Sequence, residues 1–143
     1  LNGGRAYRIF VEEVSQFLSD CSEEAMGKFC APLKKSLDDL NQTTAWLSEH
    51  GVSNPDNAGA AAVPYLNIFA LVAMGLMWAQ MARLCQQNLD SGNGSYDEDF
   101  YRNKLATATY YFSHIIIDSS ALRQRVEAGA ETIMSMEESA FVA

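Results

Sequence analysis

The stretch YLNIFALVAMGLMWAQMA, residues 65–82, decides the fold class of this chain. It lies within a longer segment, from Asn57 to Ala82, that contains no Asp, Glu, Lys or Arg. A segment of this kind is either a membrane-spanning helix or the innermost helix of a water-soluble bundle. The flanking residues and the other helical segments discriminate between these two structures.

Three features favour the water-soluble bundle. Pro64 and Asn67 divide the segment and leave only about 12 strongly apolar residues before Gln80, whereas a membrane span needs about 20. The flanks carry Asp56 on one side and a single Arg83 on the other, so they lack the Lys/Arg asymmetry that orients a span. The other segments carry apolar stripes that need a partner. We therefore expect no membrane span and a core helix that meets neighbours around most of its circumference.

Side-chain sizes along this helix suit close packing against other helices. The small residues that permit close approach are Ala70, Ala73, Gly75 and Ala79. The large side chains expected to fill the space between helices are Phe69, Leu76, Met77 and Trp78. Three methionines, Met74, Met77 and Met81, form either part of the core or a soft exposed surface such as a dimer interface, and we expect the core.

Apolar residues at alternating spacings of four and three recur in three other segments, as expected for helices that pack side by side. The three sets are Tyr7, Val11, Val14, Leu18 and Cys21; Leu33, Leu37, Leu40, Thr44 and Leu47; and Tyr101, Leu105, Ala108, Phe112 and Ile115. The β-forming stretch YYFSHIII (110–117) continues the third set, so we predict a helix there too. A shorter fifth helix is predicted from about Ser119, with Leu122, Val126 and Ile133 turned inward.

Proline, glycine and capping residues predict the first helix boundaries. Pro32 suits the first turn of the second helix, where its missing N–H costs little, and Gly51 is predicted to end that helix. Asn54, followed by Pro55 and Asp56, is the expected start of the third segment, because it places a cap, a proline and an acid at the positive end of a helix.

Similar signals predict the later boundaries. Pro64 is expected to break or kink the third segment, so that the apolar helix proper runs from Tyr65 to about Asn88. The stretch SGNGS (91–95) is a loop. Ser95 and Glu98 have the spacing of a capping box that would begin the fourth helix.

These elements predict an all-α fold, an antiparallel helical bundle with four main helices and one short additional helix. A chain of 143 residues has the size of one domain, so residues 1–143 are expected to form a single one. The chain begins with Leu1 and not with Met, and we expect it to be cut from a larger protein.

Composition narrows the possible partners and the cellular compartment. The chain has 18 acidic and 10 basic residues and a net charge of −8, a balance that repels the phosphates of nucleic acid. We therefore expect no nucleic-acid partner. The three cysteines are odd in number and include no C-x-x-C pair, so neither a disulfide framework nor a zinc site is indicated. Reduced thiols and a cytoplasmic location are expected.

No catalytic, cofactor-binding or metal-binding residue is predicted. A di-iron bundle needs Glu-x-x-His twice, but Glu49 directly precedes His50, and two tyrosines stand before His114. The chain has no G-x-S-x-G and no glycine-rich phosphate motif. Cys85 lies in the apolar helix and is predicted to be an inert, buried thiol.

Arg102 is the polar residue of greatest interest at the start of the fourth helix. It would either pair with an acid from another domain or form an ordinary surface salt bridge with Glu98 or Asp99. The surface salt bridge is expected.

Two stretches together resemble the C-terminal helical domain of a branch of acyl-CoA dehydrogenases, the branch that includes 3-methylmercaptopropionyl-CoA dehydrogenase. They are PYLNIFALVAMGLMWAQMA (64–82) and FYRNKLATATYYFSHIIIDSSALRQRVEAGAETIM (100–134), with a weaker match in LDDLNQTTAWL (37–47). The likeness lies in Pro64-Tyr65-Leu66, in the end of the apolar helix near Trp78, and in Phe100-Tyr101 ahead of Lys104-Leu105-Ala106-Thr107-Ala108. These are packing motifs, and they cover most of the chain without carrying any chemistry.

The resemblance implies a parent oxidoreductase of fatty acid metabolism that removes a proton α and a hydride β to the thioester carbonyl of a bound acyl-CoA. A glutamate base and FAD do this in domains that precede the helical one, so no catalytic residue is carried over to this chain. The implied role is an appended bundle that packs on those domains or on another subunit of a homo-oligomer. Two alternatives remain: a stand-alone acidic interaction or dimerisation module, and an independent acyl-CoA-binding bundle.

Overall fold

The computed structural model describes residues 4–21 and 24–142, and these residues are almost entirely helical. The α-helices are α1 (Arg5–Asp20), α2 (Gly27–Ser53), α3 (Pro55–Ser91), α4 (Glu98–Tyr110), α5 (Ser119–Glu127) and the single turn α6 (Glu131–Met134). Short 3₁₀ turns lie at Glu24–Met26, Ile116–Asp118 and Glu138–Phe141, and a π-helical turn at Tyr111–Ile115. The described residues include no strand, so the all-α class is confirmed.

The core forms where α2, α4 and α5 pack against α3. The buried residues of α3 are Ala61, Ile68, Val72, Gly75, Leu76, Ala79, Ala82 and Cys85. Gly75 allows α3 to approach its neighbours closely, since a Cβ at this position would lie 2.8 Å from Cδ1 of Ile116 and 3.0 Å from Cδ1 of Leu33. The predicted stripe of α2 is also confirmed, with Leu33, Leu37 and Leu40 buried.

Helix α1 lies on the side of this core. Only Val14 is fully buried, while Tyr7, Val11 and Leu18 are half-buried and pack against the core residues. Phe10 stacks on Phe69 of α3 with 4.6 Å between ring centroids. The predicted stripe of α1 is therefore the face that contacts the bundle.

Both predicted boundaries of α2 are wrong. The helix begins at Gly27, so Pro32 lies beyond its first turn, and it continues past Gly51 to Ser53. Gly51 therefore lies inside the helix, where a Cβ would be in ordinary van der Waals contact with Cβ of Ala58, 3.5 Å away in α3.

Asn54 joins α2 to α3 and satisfies both helix ends. Its backbone N–H donates to the carbonyl of His50 at 3.1 Å, and its side-chain oxygen accepts from the backbone N–H of Asp56 at 3.1 Å. The prediction that Pro64 breaks the segment is wrong, because α3 runs continuously from Pro55 to Ser91. Packing of α3 against α2 and α5 outweighs the cost of one proline.

The loop at 91–95 is confirmed, but the capping box is wrong. Gly92 ends α3 in the left-handed conformation, with φ of 65°. Asp97, and not Ser95, caps α4, and its carboxylate accepts from the backbone N–H of Phe100 at 2.8 Å. The phenol of Tyr101 also accepts from the backbone N–H of Tyr96 at 3.2 Å, so the segment just before α4 is bonded to the first turn of the helix.

The stretch 110–117 is helical, as predicted, but its register changes after Phe112. The π-helical turn Tyr111–Ile115 accommodates one extra residue. Ile116 is therefore buried, with 1% of its surface exposed, whereas the predicted core residue Ile115 is 38% exposed. A pattern with a uniform helical period cannot include this shift.

The fifth helix is confirmed only in its first part. Val126 is buried and Leu122 packs against the core, but Ile133 is 65% exposed, contrary to the prediction. The reason is Gly129, whose φ of 67° ends the helical run before Ile133 is reached.

Candidate functional site

One face of α3 exposes large apolar side chains to solvent. Its members, here called the α3 stripe, are Val63, Leu66, Met74, Met77 and Leu84, with exposed fractions from 45% to 68%. Their spacing places them on one side of the helix. A fully buried core helix would have this side covered as well. The prediction that α3 meets neighbours around most of its circumference is therefore wrong for this face. The prediction that Met74 and Met77 lie in the core is also wrong. Both side chains are part of an exposed surface, which was the alternative to the core.

The length and composition of α3 would also permit a membrane crossing. The helix has 37 residues, and 28% of its most apolar window is buried inside the bundle. The buried positions lie on the face that contacts α2, α4 and α5. The α3 stripe is thus a part of the apolar surface that the described residues leave largely exposed.

Three open clefts border the α3 stripe, at Leu84, Met74 and Val63. A cleft of about 300 Å³ lies beside Met81 and Leu84 and is closed on its far side by Phe100 and Tyr101 of α4. A second, of about 560 Å³, lies along Met74 and reaches α5, and a third, of about 370 Å³, contains Val63. Apolar helix faces flanked by grooves are typical of surfaces that bind another helix or domain.

The charged side chains in these clefts are mainly basic, whereas the chain as a whole is acidic. They are Lys104, Arg125 and Asp118, two cations and one acid, in a chain whose net charge is −8. The ammonium of Lys104 lies 5.6 Å from the centroid of the Phe100 ring. An apolar centre with a sparsely charged rim is the composition expected at a protein–protein interface.

Arg102 forms the ordinary surface pair that was expected. Its guanidinium donates to the carboxylate of Glu98 at 2.8 Å, and this hydrogen bond raises the pKa of Arg102. Both side chains are largely exposed. A pair of this kind contributes little to stability and does not mark a site.

A buried carboxylate, Asp39 of α2, is the polar feature that sequence reasoning missed. It is fully buried and accepts from the hydroxyls of Ser119 and Ser120, both at 2.8 Å. Lys35 donates to both of its oxygens at 3.0 Å, and Nε of Arg123 lies 3.6 Å away. Asp39 therefore connects α2 to the start of α5.

Burial alone would raise the pKa of Asp39, but the hydrogen bonds from Lys35, Ser120 and Ser119 outweigh it and lower the pKa below its ordinary value. The carboxylate is thus held in its charged form, with its acceptor positions used inside the bundle. A signal was present in the sequence, since Ser36, Asp39 and Thr43 repeat at helical spacing beside the leucine stripe and all three are buried. We interpret Asp39 as a structural crosslink between helices.

The remaining candidates for chemistry have structural surroundings. No group of three or more His, Cys, Asp or Glu side chains that would hold a metal ion occurs in the described ranges. Nδ1 of His50 lies 3.0 Å from the carbonyl of Trp46, and the two rings stack. Cys85 is buried as predicted, and burial raises the pKa of its thiol.

The N-termini of α3 and α4 do not fit the diphosphate of a flavin nucleotide. Asp97 caps α4, and Glu98 and Asp99 follow in its first turn. Asn54 caps α3, with Asp56 in its first turn. Carboxylates already occupy the positive ends of both helices, so they would repel a phosphate that approached the same N–H groups.

Comparison with known proteins identifies the family to which this chain belongs. A family model described as "Acetyl-CoA dehydrogenase C-terminal like" matches residues 10–137. A curated relative, the butyryl-CoA dehydrogenase of Syntrophomonas wolfei subsp. wolfei, is 21% identical over 140 residues. That alignment covers 97% of this chain but only 23% of the relative. The matched range includes α2, α3, α4 and α5 completely, and the chain belongs to the family of acetyl-CoA dehydrogenase C-terminal-like domains.

Proposed function

We propose that this chain is the C-terminal helical domain of an FAD-dependent acyl-CoA dehydrogenase and has a structural role in it. The family match over residues 10–137 carries this proposal. The parent enzyme would introduce the α,β double bond into an acyl-CoA thioester, with flavin and substrate bound by its other domains. We also propose that the parent belongs to the 3-methylmercaptopropionyl-CoA dehydrogenase branch and is located in the cytoplasm. The helices of this domain are proposed to pack in an antiparallel arrangement.

The α3 stripe is the surface through which this domain docks onto the preceding dehydrogenase domains of the same chain. The relative contains more than three times as much sequence outside the matched region as within it, so such a protein has other domains on which the stripe would pack. Covering the stripe removes apolar side chains from water, and a methionine surface adapts readily to its partner. The same contact would place this domain against the dehydrogenase core or against a second subunit of the homo-oligomer.

The first test is the reading frame upstream of Leu1. A reading frame that encodes dehydrogenase domains supports the proposal, whereas a start codon immediately upstream supports the stand-alone module. The full-length protein should then be prepared with and without residues 1–143. Loss of flavin content, of acyl-CoA dehydrogenation or of the oligomer on deletion is expected, and full retention of all three would contradict the structural role.

The second test addresses the stripe in the full-length protein. The double substitution Met74→Glu and Met77→Glu places charges in the proposed contact, while Met136→Glu is the matched control, because Met77 is 56% exposed and Met136 is 60% exposed. The double variant should lower the thermal unfolding temperature or dissociate the oligomer, and the control should not.

The stand-alone dimerisation module predicts a different result with the 143-residue chain. There the wild type would be a concentration-dependent dimer in analytical ultracentrifugation, and Met74→Glu with Met77→Glu would make it a monomer. A monomeric wild-type chain argues against that alternative. A chain that requires detergent to remain in solution would contradict both alternatives.

A further inference from the structure

Two of the three cysteines lie in direct contact, although they are nine positions apart in the sequence. Cys21 follows the last residue of α1, and Cys30 is in the first turn of α2. The thiol of Cys30 donates to Sγ of Cys21, with 2.9 Å between the sulfur atoms. The contact therefore joins the end of α1 to the first turn of α2.

The surroundings of the two cysteines let an oxidant reach the sulfur atoms and let the backbone at Cys21 adjust. Both side chains are half-buried, so a small oxidant can reach the sulfur atoms. Cys21 has left the helical conformation, with φ of −95° and ψ of 76°, and its backbone is not held by the hydrogen bonds of α1. Cys85, by contrast, is buried in α3.

We propose that Cys21 and Cys30 are a redox site that a hydroperoxide converts into an intramolecular disulfide joining α1 to α2. One cysteine loses its proton to solvent, and its thiolate attacks hydrogen peroxide, the oxidant used in the test below. The O–O bond breaks, a sulfenic acid forms, and the hydroxide that leaves takes up a proton and becomes water. The second thiol attacks the sulfenic sulfur, so that the S–S bond forms, the S–O bond breaks and a second water leaves. The two thiols together lose two electrons and the peroxide gains them. This inference does not depend on the proposed function.

The geometry favours a disulfide over a metal site. Two sulfur ligands are too few for a tetrahedral zinc site, and no third His, Cys, Asp or Glu completes a group with them in the part of the chain that the structure describes. Reaction between two sulfurs that already touch needs little rearrangement, whereas distant thiols must wait for the fold to open.

The disulfide would tighten the attachment of the least buried long helix. Helix α1 has a single fully buried side chain, Val14, and is the element expected to open at low cost. A bond that closes the ten-residue segment from Cys21 to Cys30 reduces the unfolding equilibrium constant by about 100-fold in the loop-closure description. Oxidation should therefore protect α1 from local opening.

The test uses the reduced 143-residue chain and hydrogen peroxide at one equivalent. Intact-mass spectrometry should show the loss of two hydrogen atoms, and non-reducing peptide mapping should link Cys21 to Cys30. Cys85 should remain a thiol that is alkylated only after unfolding. Hydrogen exchange of α1 should slow on oxidation and return to its original rate after reduction.

Matched variants separate the site from general thiol oxidation. Cys85→Ser should form the same link as the wild type. Cys21→Ser and Cys30→Ser should lose it and instead give a sulfenic acid that dimedone traps. A product in which Cys85 is oxidised first, or in which links form only between chains, would overturn the proposal. The peptide map of the wild-type chain decides the question even if a serine variant does not fold.

Discussion

Replacing Asp39 by asparagine tests whether the buried carboxylate holds α2 to α5. Asparagine has nearly the same shape and can still accept the hydrogen bonds of Ser119 and Ser120 through its carbonyl oxygen. Its amide group then faces the cations Lys35 and Arg123 as a donor, and the charge that they share is lost. The change therefore removes the ionic part of the cluster without leaving a cavity.

The structure limits the size of the effect. Breaking a fully buried ion pair costs about 3–5 kcal/mol, but Lys35 is 62% exposed and can return to water. Arg123 retains Glu127, whose carboxylate lies 3.7 Å from its Nε. We therefore expect Asp39→Asn to lower the free energy of unfolding by about 2–3 kcal/mol. For 143 residues this corresponds to a fall in Tm of about 6–9 °C.

Urea unfolding followed by circular dichroism measures this difference, and Asp38→Asn is the matched control. Asp38 is the adjacent acid and is exposed, so its substitution should change stability by no more than about 0.5 kcal/mol. If Asp39→Asn were as stable as Asp38→Asn, the carboxylate would not be the crosslink inferred from its contacts.

The pH dependence of the same variant is an independent check. The pKa of Asp39 is lower in the folded chain than its ordinary value of 3.8. Its contribution to stability is therefore present above about pH 4 and is lost as the pH falls through the folded pKa. The difference between wild type and Asp39→Asn should be constant from about pH 7 to 5 and should shrink in stronger acid.

Three further results are expected. Gly94→Ala should destabilise the fold by about 1–3 kcal/mol in urea titrations, because its Cβ would overlap the ring of Tyr101. Gly59→Ala has open space around it and should stabilise α3 by about 0.5–1 kcal/mol. The opposite order would refute the packing argument. Burial raises the pKa of Tyr111 to about 12. The free energy of unfolding that its neutral phenol contributes below the ordinary pKa of 10.0 should therefore be lost as the pH rises through about 12. An ultraviolet titration in which the phenolate forms near pH 10 in the folded chain would contradict this. Cys85 should react with an aromatic disulfide reagent at least about tenfold more slowly in the folded chain than in urea, and equal rates would show that the thiol is accessible.

Local sequence patterns predicted the helices well and their ends less well. The apolar stripes of α1 and α2 and the cap at Asn54 depend on neighbouring residues, and the structure confirms them. The errors at Pro64 and Ile115 have one cause, since each concerns a local rule that packing against other helices overrides. A proline is tolerated where contacts on both sides hold the helix, and a π turn appears where the core requires a different face.

The sequence by itself determined that the chain is helical, which residues form the inward stripes, and to which family it is similar, because these properties depend on spacing along the chain and on matching segments. Only the tertiary structure decided which residues meet across the fold. Asp39 meets Ser119 and Ser120, Cys21 meets Cys30, and the stripe on α3 is left largely exposed by the described residues. The physical reason is that periodicity gives the direction of a side chain around its own helix, whereas its partner depends on how the helices are placed in space.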